Sequence, residues 1–187
     1  MIVRSYRPED KPFLQNICRV TAHEGYKKST ALQEAVTVVY NDYYTECEPE
    51  RVLVAANDDD EPVGYVLCCA DPKKFSRMTK TVYKKRLNAV CKGKNIEFIA
   101  ARLLLFFMPK KYRVHLHIDI LPEYQRQGIG RALMDELRDR LHRDGIPYLS
   151  VLAVSTRSDG YRFYKKYGFD VIRRLPGMVM LSIPTER

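Results

Sequence analysis

Residues Val114 to Arg131 read VHLHIDILPEYQRQGIGR, and the rest of the chain is organised around them. Alternation in HLHIDI predicts a strand, Pro122 stops it, a polar loop with Gln125, Gly128 and Gly130 follows, and an amphipathic pattern begins at Ile129. Glycines let a backbone approach a ligand closely, and the first turn of a helix carries four N–H groups without intrahelical acceptors. Such a loop suits an anion, and a pyrophosphate is the expected one.

Neighbouring residues decide which pyrophosphate. A nucleoside-triphosphate loop ends in Gly-Lys-Ser/Thr, whereas Gly130 is followed by Arg131 and Ala132. A dinucleotide loop places a third glycine three residues after the second, where Leu133 stands. QRQGIG after a strand ending HIDILP instead resembles the QxxGxG signature of the GNAT superfamily of acetyl-CoA-dependent N-acetyltransferases. Within that superfamily it looks most like the acetyltransferase-like domain of bacterial O-GlcNAcase-type proteins. A second motif, VSTRSDGYRFYKKYGF, sets Tyr164 before Gly168 and Phe169 as members of the family do.

The resemblance implies an α/β fold, a mixed, mostly antiparallel seven-stranded sheet with helices on both faces. It implies acetyl-CoA as cosubstrate and no metal. The backbone of Ile118, Asp119 and Ile120 would hold the acetyl and pantetheine units, one of their N–H groups polarising the thioester carbonyl. Gln125, Arg126, Gln127, Gly128, Ile129, Gly130 and Arg131 would take the pyrophosphate, with the Arg126 and Arg131 side chains adding charge. Ser155, Arg157, Gly160 and Tyr164 would complete the cofactor contacts. This last loop departs from the family's Asn and Ala: Gly160 stands at the Ala position, and Arg157 or Ser158 replaces the Asn with a one-residue shortening. Tyr164 is the expected general acid, an ordinary phenol near pKa 10 protonating a thiolate whose acid lies near about 8.5.

His115, His117 and Asp119 alternate and so share one face of their strand. Three readings are open: part of a metal site, which lacks the following Asp-His pair; a proton relay ending at Asp119 as general base; or side chains hydrogen-bonded to neighbouring elements.

At 187 residues the chain suits one domain, residues 1–187, burying roughly 70% of its unfolded surface. The formal charge is +9, unevenly placed: Asp71 to Arg113 hold 13 Lys and Arg against two acids, Asp71 and Glu97. This stretch is a basic helical insertion before the central strand. Its first helix, Lys73 to Val90, turns Phe75, Met78, Val82, Tyr83, Leu87 and Val90 inward and a basic face to solvent. Its second, IEFIAARLLLFF from Ile96 to Phe107, is too short and too charged to span a bilayer, and reads as a buried helix packed on the sheet. No membrane partner is expected, and the basic residues follow no nucleic-acid motif. Five cysteines, two of them adjacent, predict buried free thiols rather than disulfides. MIVRSYRPED is charged by its fourth residue and holds no apolar signal, so a cytoplasmic location is expected.

Elsewhere Ile2 to Tyr6 reads as a strand. Asp10 caps a helix whose stripe is Phe13, Leu14, Ile17 and Val20 or Thr21. Thr30 and Gln33 form a capping box for a second helix burying Leu32, Val36, Val39 and Tyr43, with Tyr40 and Tyr44 beside that stripe. Residues 51–56 and 63–70 form a hairpin across an acidic turn, Tyr148 to Val154 a central strand, and FDVIRRL with MVMLSIP a terminal hairpin. From Ile129 a helix sets Ile129, Leu133, Leu137 and Leu141 four apart, with Glu136–Arg140 and Asp139–Arg143 pairs outside.

The expected function is acetyl transfer from acetyl-CoA to a primary amine by direct attack in a ternary complex. The acceptor is a small molecule or peptide, acidic if the insertion covers its entrance, and the protein is a monomer or homodimer. Two rivals are a non-catalytic acyl-CoA binder and a basic nucleic-acid module.

Overall fold

The β-branched and apolar runs of the sequence form a single sheet in the computed structural model, which describes residues 1–94 and 96–187. The strands are β1 (Ile2–Ser5), β2 (Val52–Ala56), β3 (Pro62–Cys69), β4 (His115–Ile120), β5 (Tyr148–Ser155), β6 (Asp170–Leu175) and β7 (Met178–Pro184). Their order is β1-β2-β3-β4-β5-β7-β6, and every pairing is antiparallel except β4 with β5. This is the mixed, mostly antiparallel seven-stranded sheet expected from the sequence.

Period-two alternation sends side chains of β2 and β3 into two separate cores. Val54, Tyr65 and Cys69 pack with α1 (Lys11–Thr21), α2 (Thr30–Tyr40), α3 (Asp42–Cys47) and the insertion. Leu53, Val66 and Cys68 pack with α7 (Ile129–Arg143) and α8 (Asp159–Tyr167) on the other face. Adjacent Cys68 and Cys69 thus enter opposite cores, and all five cysteines are free.

The insertion comprises α4 (Pro72–Met78), a π-turn over Thr79–Tyr83, α5 (Lys84–Val90) and α6 (Ile96–Phe107). Phe75, Tyr83 and Leu87 are buried against α2 and α3, where the Tyr43 ring meets Phe75 at 4.9 Å and Tyr83 at 6.0 Å. Lys80, Lys84 and Lys85 are exposed. Val82 is exposed rather than turned inward.

Several local expectations are corrected. Ser29, not Thr30, caps α2, its hydroxyl accepting the Leu32 N–H at 3.3 Å. The Asp10 carboxylate makes no cap on α1; it accepts the Arg7 N–H at 2.8 Å and two bonds from Arg4, whose fork fits a carboxylate. Phe13 and Val20 are exposed, while Leu14, Ile17 and Cys18 carry the buried stripe. Glu136 pairs with Arg140, but Asp139 pairs with Arg187, which the chain's return brings within 2.6 Å. Helix α6 is not a buried helix: Phe98 and Leu105 face the core while Ile96, Ile99, Leu103, Phe106 and Phe107 are exposed.

Candidate active site

The sheet opens at its centre. On one side of β4, Leu121 donates its N–H to the Val63 carbonyl at 3.0 Å; on the other, Ser150 donates to the Val114 carbonyl at 2.9 Å. Main-chain groups of an antiparallel strand alternate in direction, so His117 and Asp119 bond toward β3 while Ile118 and Ile120 face β5. But β5 registers with β4 only at His115 and Ser150, and a bulge between Val151 and Val154 interrupts its pairing with β7. The N–H and C=O of Ile118 therefore face an open gap, with no ladder partner among the described residues. The Ile120 carbonyl is satisfied by the Gln125 side chain, whose Nε2 donates to it at 2.9 Å.

A cleft of about 810 Å³ fills this gap and continues over the loop. Of the sequence-predicted residues it brings together Ile118, Asp119, Ile120, Gln125, Arg126, Gly128, Gly130, Arg131, Gly160 and Tyr164. Gln127 does not line it and donates to the Glu123 carbonyl at 2.9 Å. Ile129 turns its side chain into the core beneath. Ser155, at the end of β5, and Arg157, in the turn before α8, are exposed and do not line it, Ser155 Oγ accepting the Arg157 N–H at 3.3 Å.

The two loop glycines serve different purposes. Gly128 has φ 86°, a left-handed conformation, with open space where a side chain would stand. Gly130 is needed for close approach: a Cβ there would lie 3.0 Å from the Phe163 ring and 3.4 Å from Ile120 Cδ1. Backbone hydrogen bonding in α7 begins with Ala132 N–H to Gly128 O. The preceding N–H groups thus point out of the helix start, the arrangement that accommodates phosphate oxygens. Arg126, Arg131, Arg162 and Lys166 supply cations around the cleft, Arg131 resting over the Tyr167 ring at 5.5 Å.

Tyr164 and Asp119, beside the open edge of β4, both have perturbed acidity. Tyr164 is buried among Phe163 and Phe169, at ring distances of 5.4 and 5.1 Å. Burial first, and then the charge of Asp119, raise its pKa above the ordinary phenol value. It is a weaker acid than the ordinary phenol assumed from sequence, and it stays protonated at neutral pH. Asp119 accepts the Tyr65 hydroxyl at 2.6 Å; burial raises its pKa, and the hydrogen bond from Tyr65 opposes that rise.

The two histidines of the same strand face are set among rings. His117 meets Tyr40 at 5.1 Å and Tyr44 at 5.6 Å; His115 meets Phe75 at 5.0 Å. Burial lowers the His115 pKa to about 4, and burial with the nearby His115 lowers His117 to about 3. His115 Nδ1 contacts the Arg113 carbonyl at 3.0 Å, and its Nε2 is buried without a partner among the described residues. The hydrogen bond that reaches Asp119 comes from Tyr65, not from a histidine, which replaces the histidine relay with a Tyr65–Asp119 pair. Among the described residues no group of three His, Cys, Asp or Glu is placed to hold a metal ion, and no helix is long and apolar enough to cross a membrane.

Sequence reasoning missed Thr21, Asp159, Arg162, Phe163, Lys166 and Tyr167, all of which line the cleft. The signal was available: Phe163 with Tyr167, and Arg162 with Lys166, are four apart and neighbour on α8 beside Tyr164.

Solved structures share this architecture. SsHAT superposes with a TM-score of 0.85 at 26% identity, over 100% of this chain and 98% of its own. The PaiA N-acetyltransferase from Thermoplasma acidophilum, solved in complex with coenzyme A, superposes at 0.63 with 16% identity, over 98% of each chain; that likeness is of fold alone. The [Ribosomal protein bS18]-alanine N-acetyltransferase of Escherichia coli (strain K12) is 37% identical over 60 residues. That match spans 31% of this chain and 40% of the relative's length. The model of the Acetyltransferase (GNAT) family matches residues 20–169. With the open central strand pair, the glycine loop and the family match in agreement, the chain belongs to the GNAT acetyltransferase family.

Proposed function

We propose that this protein moves an acetyl group from acetyl-CoA to a primary amine by direct attack in a ternary complex. The observation that carries the reading is the free edge of β4 at Ile118, which opens into the same cleft as the loop glycines and Tyr164. Ile118 offers an N–H and C=O with which an amide-bearing chain pairs as a strand would, and an N–H there polarises a thioester carbonyl. The start of α7 and the surrounding cations take the pyrophosphate. In this scheme Asp119 accepts the proton of the incoming amine, Tyr65 holds that carboxylate, and Tyr164 gives its proton to the sulfur as the thiolate leaves. Because Tyr164 is a weak acid, its proton moves late, when the sulfur already carries charge.

The likeness to the ribosomal-protein acetyltransferase supports a peptide or protein amine as acceptor, and the insertion, with 13 Lys and Arg against two acids, favours an acidic one through its long-range field, since none of its described residues lines the cleft. Five free thiols fit a reducing compartment such as the cytoplasm. The narrower likeness to O-GlcNAcase-associated domains rests on sequence and adds no residue to this scheme.

The test is incubation with acetyl-CoA and a panel of amines and peptides, following thiol release and product mass together. Acetylated product appearing with stoichiometric thiol supports the proposal. Saturable acetyl-CoA binding with no transfer to any acceptor would leave the non-catalytic binder instead.

A further inference from the structure

Five of the exposed large apolar side chains, Ile96, Ile99, Leu103, Phe106 and Phe107, lie on the single helix α6. Phe106 and Phe107 are 72% and 64% exposed, with rings 5.2 Å apart at near right angles. A contiguous apolar surface rimmed by charge marks an interaction site. Beside the helix runs a groove of about 530 Å³ between α6 and the start of α4. Ile99, Leu103 and Phe106 form its apolar wall, Lys73, Arg102 and Arg113 its cationic one, and no carboxylate lines it.

Two details fix its character. Arg113 donates to the Met108 and Phe106 carbonyls at 2.9 and 3.0 Å, closing the C-terminus of α6 and holding that end of the groove rigid. Arg102 carries a buried Nη1 with no hydrogen-bond partner among the described residues. That atom is shut off from solvent, so what Arg102 presents to the groove is the charge of its half-buried guanidinium.

We infer that this groove docks an acidic segment of a partner protein, one that sets Leu or Phe side chains against α6 and carboxylates against Lys73 and Arg102. A second copy of the chain is disfavoured because two strongly basic insertions would face each other. A lipid surface engages apolar residues projecting outward, whereas Ile99, Leu103 and Phe106 wall a groove beside cations. The inference is independent of the acetyl-transfer reading, since the groove lies toward the start of β4 and the cleft at its end.

The test uses the whole protein and a fluorescein-labelled peptide in which Leu and Phe recur at three- and four-residue spacing among Asp and Glu, followed by anisotropy. Saturable binding that weakens with added salt is expected. Leu103→Asp and Phe106→Asp should each weaken it by about tenfold, and Lys73→Glu severalfold. Arg173→Glu, a like charge change on the exposed strand β6 outside both the groove and the cleft, should leave it within about twofold. Thermal melts confirm folding, which substitution of exposed residues preserves. Absence of saturable binding overturns the proposal, as does equal loss in Arg173→Glu and Phe106→Asp. It is likewise overturned by a concentration-dependent dimer, or by co-sedimentation with phosphatidylserine vesicles, that Phe106→Asp abolishes while the peptide does not bind.

Discussion

The Tyr65 hydroxyl donates to the Asp119 carboxylate at 2.6 Å, from the residue directly opposite it in the β3–β4 register. Tyr65 is fully buried, so this bond is made by the fold and not by a mobile surface group. It favours the ionised carboxylate, which burial disfavours. Tyr65→Phe should therefore push the Asp119 pKa further up and move the acidic limb of kcat/KM to higher pH, with acetyl-CoA affinity unchanged. Asp119→Asn should lower kcat by about a hundredfold if this carboxylate is the base. A pH–rate profile identical to wild type in Tyr65→Phe would detach Tyr65 from the reaction.

Tyr164→Phe should reduce turnover by about a hundredfold and hardly alter acetyl-CoA binding, because the hydroxyl is needed only as the thiolate departs. The wild-type basic limb should not reflect an ordinary phenol, since burial and Asp119 hold the tyrosine protonated past that range. Single-turnover kinetics with calorimetry separate the two effects. Turnover unaltered under conditions where chemistry is slow removes Tyr164 from the mechanism.

The loop glycines should respond differently. Gly128→Ala faces open space but a φ of 86°, so it should cost about 1 kcal/mol of stability, and Gly128→Asp should in addition repel phosphate and abolish most coenzyme A affinity. Gly130→Ala must displace Phe163 or Ile120, altering the floor of the cleft rather than its charge. Melting curves read beside coenzyme A titrations distinguish strain from repulsion; full affinity in a folded Gly128→Asp protein would contradict the loop assignment.

Acid should destabilise the fold partly through His115. The unfolded residue takes a proton below about pH 6.5, whereas the buried ring resists until about 4. Stability contributed at neutral pH is thus lost as pH falls across that window, by about 3 kcal/mol from this residue alone. His115→Phe keeps a ring against Tyr44 and Phe75 and should make the dependence shallower. Denaturant melts at a series of pH values between 4 and 7 test this, and an unchanged slope would exclude His115.

The exposed cations of the insertion should tune acceptor choice. Joint reversal of Lys80, Lys84 and Lys85 to Glu should lower kcat/KM for an acidic peptide acceptor relative to a neutral one, with the gap narrowing as salt shortens the reach of the field. Equal kcat/KM on the acidic acceptor at low salt would leave these lysines as solvated surface.

Much of this architecture was legible because local chemistry and tertiary demand agree. HLHIDI, Pro122 and QRQGIG determine a strand, its stop and a helix start almost alone, and Cys68 beside Cys69 enter separate cores as period two requires. Where the reading failed, a competing group arrived from far along the chain: Arg4 took Asp10 from its cap and Arg187 took Asp139 from Arg143. Of the three readings open for the histidine strand none names Tyr65, which reaches Asp119 from the neighbouring strand. The composition of α6 showed that it was apolar but not how much of it the sheet could cover. Phe163 escaped notice because its role is set by a glycine in another element.

The opening between β4 and β5 has a mechanical meaning as well. With one register pair joining them, at His115 and Ser150, the strands β1 to β4 and the strands β5 to β7 form two arms whose remaining connection is the core they share beneath α7 and α8. A molecule that hydrogen-bonds along Ile118 while resting on α7 and α8 braces the arms from inside, and its binding energy becomes resistance to unfolding. If acetyl-CoA binds as proposed, it is a removable structural member, and the protein is stiffest when it is ready to react.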